Sequence, residues 1–250
     1  MTSEPKHFEN RQRAESFGSV AADYDRYRPS YPPSLIDDVA KTGARTAFDI
    51  GCGTGLLAQS IAARGIDVIG VDPDPNMAAV AARRGLTVES GTFEDWDPRG
   101  RSADLITFGQ SWHWVNPALA APKAYELVNP GGNLVLAWNR IEAITPSQTQ
   151  VQEVMGRHSG QAPQPRGAGA DADAAASILS VAGFNCSTKK YERTATYCAQ
   201  DYLALLFTYS TQLTLPPGTV RAMRSELEQL LDGRDVHADT SCATIWAHRG

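Results

Sequence analysis

The sequence predicts an α/β fold, a mostly parallel sheet with helices on both faces. Three observations predict it. Short apolar, β-branched runs alternate with helical-period stretches between residues 46 and 138. The first run, Thr46-Ala47-Phe48-Asp49-Ile50, opens into the glycine turn Gly51-Cys52-Gly53-Thr54-Gly55 and then into a helical stretch. A chain of 250 residues, 42% hydrophobic and 20% charged, has the length and composition of one globular α/β domain with room for a small cap. Strands covered by helices on both faces read as near-continuous apolar runs, which these are.

Before the first strand, Phe17, Val20, Ala21 and Tyr24 fall at helical spacing. Pro29, Pro32 and Pro33 end that helix, and Ser34 suits the cap of a short helix over 35–41 with Leu35, Ile36 and Val39 inward. Aromatic residues and Arg28 are too dense here for a linker. The segment is either a packed helix or a lid over a ligand. Residues 1–16 are polar and read as a flexible N-terminus.

The alternation then predicts strand 46–50, helix 56–64, strand 67–71 ending at Asp72, helix 76–84, strand 86–89, strand 105–108 and helix 118–127. The turn Pro130-Gly131-Gly132 precedes strand 133–138. Residues 141–170 interrupt the rhythm. A helix over 149–157 leads into a stretch, 159–169, with little to bury, which reads as a substrate lid or a disordered loop. Asp171 or Asp173 caps a helix that Gly183 ends, and strand 184–193 follows. Helix 200–208 carries Tyr202, Leu205, Leu206 and Tyr209 on one face. A helix from Pro216 and Pro217 carries Val220, Met223, Leu227, Leu230 and Leu231. A last strand spans 240–248 and suits an antiparallel hairpin with strand 184–193. The organisation expected is one domain over 17–250, with an insertion around 141–170 and a helical cap element around 197–232.

The net charge of −5 weighs against nucleic acid as a partner, because phosphate binding needs a basic face. No apolar stretch approaches the ~20 residues of a membrane span, and the polar start Met1-Thr2-Ser3-Glu4-Pro5-Lys6 lacks a signal-peptide core. The four cysteines are scattered, which suits reduced thiols and a cytoplasmic location. No metal-ligand spacing occurs, so no metal is expected.

The glycine turn carries the chemistry. Glycine lets backbone approach a ligand closely, and a helix N-terminus presents unpaired N–H groups. The spacing is Gly51-x-Gly53-x-Gly55, with Leu56 where a dinucleotide fingerprint has its third glycine. Asp49 beside the turn repels a diphosphate and suits a cationic amine. Both features favour a nucleotide-like cofactor without a pyrophosphate. Asp72, followed by Pro73, ends the second strand at the distance of a ribose-binding acid, and a carboxylate accepts from both vicinal hydroxyls. Thr92, Phe93 and Glu94 follow the third strand and offer an adenine an acceptor, a backbone donor and an apolar clamp. Gln110-Ser111-Trp112-His113-Trp114 follows the fourth strand, at the end of an open sheet where ligands bind. His113 is the candidate acid–base residue there. Tyr197, Tyr202, Phe207 and Tyr209 are candidate wall residues of an acceptor pocket, though their spacing fits core packing equally.

These residues resemble class I S-adenosylmethionine-dependent methyltransferases. The likeness begins with Phe48 to Gly55 as the first motif and extends to Asp72, the Gly91 to Glu94 turn and Pro130-Gly131-Gly132. Tyr24-x-x-x-Arg28-Pro29-x-Tyr31-Pro32 and Gln110 to Trp114 resemble the small-molecule branch that includes trans-aconitate methyltransferase-like proteins. The resemblance implies a Rossmann-like, seven-stranded sheet with the last strand inserted antiparallel, an N-terminal helical lid and S-adenosyl-L-methionine as cofactor. It also implies that Tyr24 and Arg28 lie near the methionine end, with Arg28 pairing with the cofactor carboxylate. The cofactor-binding set expected is Tyr24, Arg28, Asp49, Gly51, Cys52, Gly53, Gly55, Asp72, Pro73, Thr92, Phe93, Glu94 and Gln110. The function expected is methyl transfer to an oxygen of a small-molecule acceptor. The alternatives are a non-catalytic cofactor-binding regulatory protein and a nicotinamide-dependent oxidoreductase.

Overall fold

The computed structural model describes residue 18, residues 20–160 and residues 168–250. The expected flexible segment 1–16, Phe17 and most of the expected 159–169 loop lie outside the described residues.

The sheet is built first from β1 (Thr46–Ile50), β2 (Asp67–Asp72), β3 (Thr87–Ser90), β4 (Ala103–Gly109) and β5 (Val128–Asn139). These pair in parallel, and β7 (Asn185–Tyr191) and β10 (Cys242–His248) add antiparallel neighbours. The order is β3-β2-β1-β4-β5-β10-β7, seven strands with the last inserted between β5 and the edge strand β7. β5 runs through the expected Pro130–Gly132 turn, where its register against β4 shifts.

Strand period two divides the residues between two faces. Ala47, Leu105, Val135 and Ala137 join one core cluster, together with Leu35, Ile36 and Val39 of α2 (Pro33–Lys41) and Leu57, Ala58 and Ile61 of α3 (Leu56–Ala62). Phe48, Ile50, Ile106, Leu134 and Leu136 join the other, under α5 (Pro117–Leu127) and α7 (Ala168–Val181). Asp49 shares the face of Ala47, so the alternation aims an acid at the start of α3. The N-terminal helix α1 (Ala21–Tyr27) packs Ala21 on Met77 and Val80 of α4 (Pro75–Arg83).

A second core sits apart from the sheet. Ile141, Ala143, Val151 and Val154 pack with Tyr202, Leu205, Leu206, Met223, Leu227 and Val236. It is built from α6 (Gln148–Ser159), α8 (Ala199–Leu206), α9 (Pro217–Leu231) and a three-stranded sheet. The strands of that sheet, β6 (Glu142–Thr145), β8 (Thr194–Tyr197) and β9 (Val236–Asp239), were not expected from sequence. Each is four residues long, too short for a period of two to stand out. The expected strand 184–193 accordingly ends at Tyr191, and Thr194 starts a strand of the other sheet. Among the described residues, no helix is long and apolar enough to cross a membrane, and no group of side chains is spaced to hold a metal ion.

Candidate active site

The carboxyl ends of β1, β2, β4 and β5 open onto two adjoining cavities. The first, about 900 Å³, is lined by Tyr24, Gly51, Gly53, Asp72, Pro73, Asp74, Met77, Thr92, Phe93, Glu94, Gln110, Ser111, Trp114 and Val115, among others. The second, about 480 Å³, is lined by Tyr24, Arg28, Tyr31, Asp49, Gly51, Cys52, Gly53, Thr54, Gln110, Asn139 and Ile141, among others. Tyr24, Gly51, Gly53, Gly109 and Gln110 line both, so the cavities form one trough.

The glycine turn is closed on its own backbone. Gly51 and Cys52 N–H both donate to Val71 O, at 2.7 and 3.1 Å, and Gly55 N–H donates to Cys52 O at 2.9 Å. Gly53 N–H donates to Asp72 Oδ2 at 2.7 Å. Four N–H groups of the turn are therefore used within the protein, and there the turn contributes shape and close approach. A Cβ on Gly51, at φ +63°, would stand 2.5 Å from Ser111 Cβ. Gly55 lines neither cavity. It is the left-handed cap of α3, at φ 84°, and its missing Cβ leaves room for Leu86. In the chain itself it serves packing.

Two buried acids flank the turn. Asp49 lies opposite Thr107 across the β1–β4 ladder and accepts from Thr107 Oγ1 at 2.6 Å. Burial pushes its carboxyl up to about 7, against the opposing pull of the Thr107 hydroxyl and the Ala58 N–H. Asp72 accepts from Gly53 N–H and, at 2.9 Å, from Asp74 N–H. Burial raises it to about 6 despite both bonds. Tyr24 and Tyr31 are held above the ordinary phenol range, by burial first, and stay neutral.

In the first cavity Phe93 is buried edge-on to Phe108. Thr92 Oγ1 donates to Asp95 Oδ2, and Glu94 Oε1 accepts from Asn116 N–H at 2.6 Å, so both side chains also shape the loop. Gln110 takes a left-handed φ of 60°, rare for a residue with a side chain, and its amide donates to Asn139 O at 2.8 Å. The strain falls where both cavities meet.

His113 lies outside both linings. The expected loop is a 3-10 turn, Trp112–Trp114, whose three residues per turn send consecutive side chains about 120° apart. Trp112 enters the core against Phe108, Trp114 faces the first cavity, and His113 leans on the Trp114 ring with centroids 4.8 Å apart. The structure thus brings together every expected site residue except Gly55 and His113.

In the second cavity Arg28 is fixed by the cap. Its Nε donates to Thr208 Oγ1 at 2.9 Å and its Nη2 to Thr208 O at 3.2 Å. Its Cζ stands 3.7 Å from the centroid of the Tyr209 ring and 5.0 Å from that of Tyr24. Tyr31, Asn139 and Ile141 were not expected here. Asn139 ends β5 as Asp72 ends β2, so the same strand-end rule would have found it. Tyr197, Tyr202, Phe207 and Tyr209 line neither cavity; Tyr202 and Phe207 belong to the second core.

The trough fits an adenosyl amino acid. It has an acid at a strand end for a ribose, an aromatic wall, and a cation in the adjoining cavity for a carboxylate. Thr54 Oγ1 and Asn139 Oδ1, both on residues lining the second cavity, are buried without a hydrogen-bond partner among the described residues. Such atoms mark a polar environment that the chain alone does not complete.

Residues 48–136 match the Methyltransferase domain family. An uncharacterized methyltransferase of Mycobacterium tuberculosis is 40% identical over 149 residues, 59% of this chain and 61% of that protein. The chain thus spans less than two thirds of that relative's length. Trans-aconitate 2-methyltransferase of the same species is 36% identical over 92 residues, 36% of this chain and 34% of that protein. A solved structure from Anaeromyxobacter dehalogenans, described as a type II methyltransferase, superposes with a TM-score of 0.61 over 89% of this chain and 98% of that one, at 20% identity. That last likeness speaks for the fold. Sheet order, glycine turn and the match over residues 48–136 agree, and this stretch is similar to the class I methyltransferases, whose cofactor is S-adenosylmethionine.

Proposed function

We propose that this chain transfers a methyl group from S-adenosylmethionine to an oxygen of a small-molecule acceptor, a carboxylate before a hydroxyl. The observation that carries the reading is the continuous trough, with Asp72 in one cavity and Arg28 in the other. Asp72 accepts from the ribose hydroxyls, and Phe93 with Glu94 receives the adenine. Arg28 pairs with the amino-acid carboxylate, and Asp49 attracts the ammonium. When bound, the cofactor supplies a methyl group already activated on a sulfonium. The chain then has to align the acceptor oxygen and keep water out. Tyr24 and Gln110, shared by both cavities, border the junction where that alignment takes place. Among the described residues no histidine lines either cavity, which supports an acceptor that arrives anionic and needs no base.

Calorimetric titration with S-adenosylhomocysteine tests the cofactor half. Wild type is expected to bind it, and Asp72→Ala to weaken binding by about tenfold or more, the worth of hydrogen bonds to a charged group. A labelled-methyl assay against a pool of small carboxylic and hydroxy acids tests the acceptor half. Label appearing only in protein or nucleic acid would overturn the small-molecule reading, and label in nothing would favour a regulatory protein.

A further inference from the structure

Arg28 is the one cation on the second cavity's wall among the described residues, and no acid there lies within ion-pair distance of it. A cation in that position is normally paired or aimed at a ligand. Arg28 is aimed. Two of its nitrogens are engaged by a single residue, Thr208, through the hydroxyl and the backbone carbonyl. Thr208 is itself 1% exposed, and its hydroxyl is oriented by donating to Leu205 O at 2.7 Å. Tyr209 closes one face of the guanidinium. A guanidinium is a rigid planar fork, so fixing the Nε–Nη2 edge and one face also fixes the outer edge. Nη1 on that outer edge has no acceptor among the described residues.

We propose that Thr208, 180 positions from Arg28 in the chain, is a positioning residue that aims the Arg28 fork at a carboxylate in the second cavity. The cap thereby sets the affinity for that carboxylate without touching it. Thr208 acts this way only if the trough is a cofactor site as read above. The carboxylate belongs either to the amino-acid part of the cofactor or to the acceptor, and the two are separable by ligand.

The test is binding of three probes to the full chain by titration calorimetry. S-adenosylhomocysteine carries the amino-acid carboxylate, 5′-methylthioadenosine lacks it, and succinate is added to the S-adenosylhomocysteine complex as a stand-in for an acidic acceptor. Thr208→Val keeps shape and removes the hydroxyl. The expected result is S-adenosylhomocysteine weakened about five- to tenfold with 5′-methylthioadenosine unchanged, and recovery in Thr208→Ser. Weakened succinate with the other two unchanged also supports the role and assigns the carboxylate to the acceptor. Equal loss on S-adenosylhomocysteine and 5′-methylthioadenosine, or no loss on any probe, overturns it, because a merely structural Thr208 lowers thermal stability without choosing between ligands. If Thr208→Val does not fold, Arg28→Lys retains the charge and loses the fork, and must show the same selectivity. Wild type that binds neither nucleoside would remove the cofactor reading itself, and the role of Thr208 with it.

Discussion

The two cavities of the trough are built by different means. The first is walled mainly by short motifs directly after strands of the parallel sheet, with Tyr24 and Met77 added from helices, and its central turn is tied to itself by backbone hydrogen bonds. The second is closed by groups far apart in the chain, with α1 on one side and the cap on the other, joined through Arg28 and Thr208. The first is a rigid mould made by local sequence. The second depends on how a separate core docks. Perturbing the first is therefore expected to damage fold and binding together, whereas perturbing the second changes ligand preference with the fold intact.

The largest expected effect breaks the mould. Gly55→Val forces a β-branched residue into φ +84° and drives its Cβ to 2.4 Å from Leu86 Cδ1 and 3.2 Å from Ala81 Cβ. Backbone strain of roughly 1–2 kcal/mol and overpacking of roughly 1–3 kcal/mol add in the same direction. Thermal or urea unfolding is expected to show a loss of about 2–5 kcal/mol. Gly53→Ala, whose Cβ would meet only the mobile end of Met77 at 3.4 Å, is expected to lose about 1 kcal/mol. Equal losses at the two glycines would mean that the turn is not moulded as described.

A middle effect separates the cavities by pH. Asp49 and Asp72, one in each cavity, are held up at about 7 and about 6, by burial first. Both folded values lie above the ~3.9 of an unfolded aspartate, so the folded state holds protons that the unfolded state has released. Their contribution to stability is full below about pH 4 and is lost as pH rises through 6 and then 7. Unfolding of the ligand-free protein should therefore show stability falling between about pH 4 and 7, with Asp49→Asn removing the fall above about pH 6 and lessening it below. Affinity for S-adenosylhomocysteine should run the opposite way, rising as Asp49 ionises and attracts the ammonium. Stability that rises over this window in wild type would contradict the buried, unpaired state of these acids.

Legibility in the sequence followed the same division. Sheet, strand ends and the residues of the first cavity were readable because each signal lies within about ten residues of a strand end, where periodicity and turn chemistry operate. Asp72, Thr92, Phe93 and Gln110 all line the trough as local reading expects. The cap was read only as helices, since its three strands are short and pair across long gaps. Thr208 could not be found at all: nothing near it in sequence says that Arg28 folds against it. Gly55 was visible as a glycine of the motif, but only the position of Leu86 reveals that its work is packing.

The smallest effect is expected at His113, where sequence and structure part. By sequence it is the acid–base residue, and losing a general base costs about 10²–10⁴-fold in turnover. In the folded chain it supports the Trp114 ring from outside the cavity. His113→Ala should then lower kcat by less than about tenfold, through a small shift of Trp114, with cofactor binding nearly unchanged and no loss of a pH limb near 6.5, the ordinary histidine value. A fall of a hundredfold or more at intact S-adenosylhomocysteine affinity would return His113 to the reaction. It would also mean that the 3-10 turn rearranges when the acceptor binds, so that the first cavity is less rigid than its closed backbone makes it.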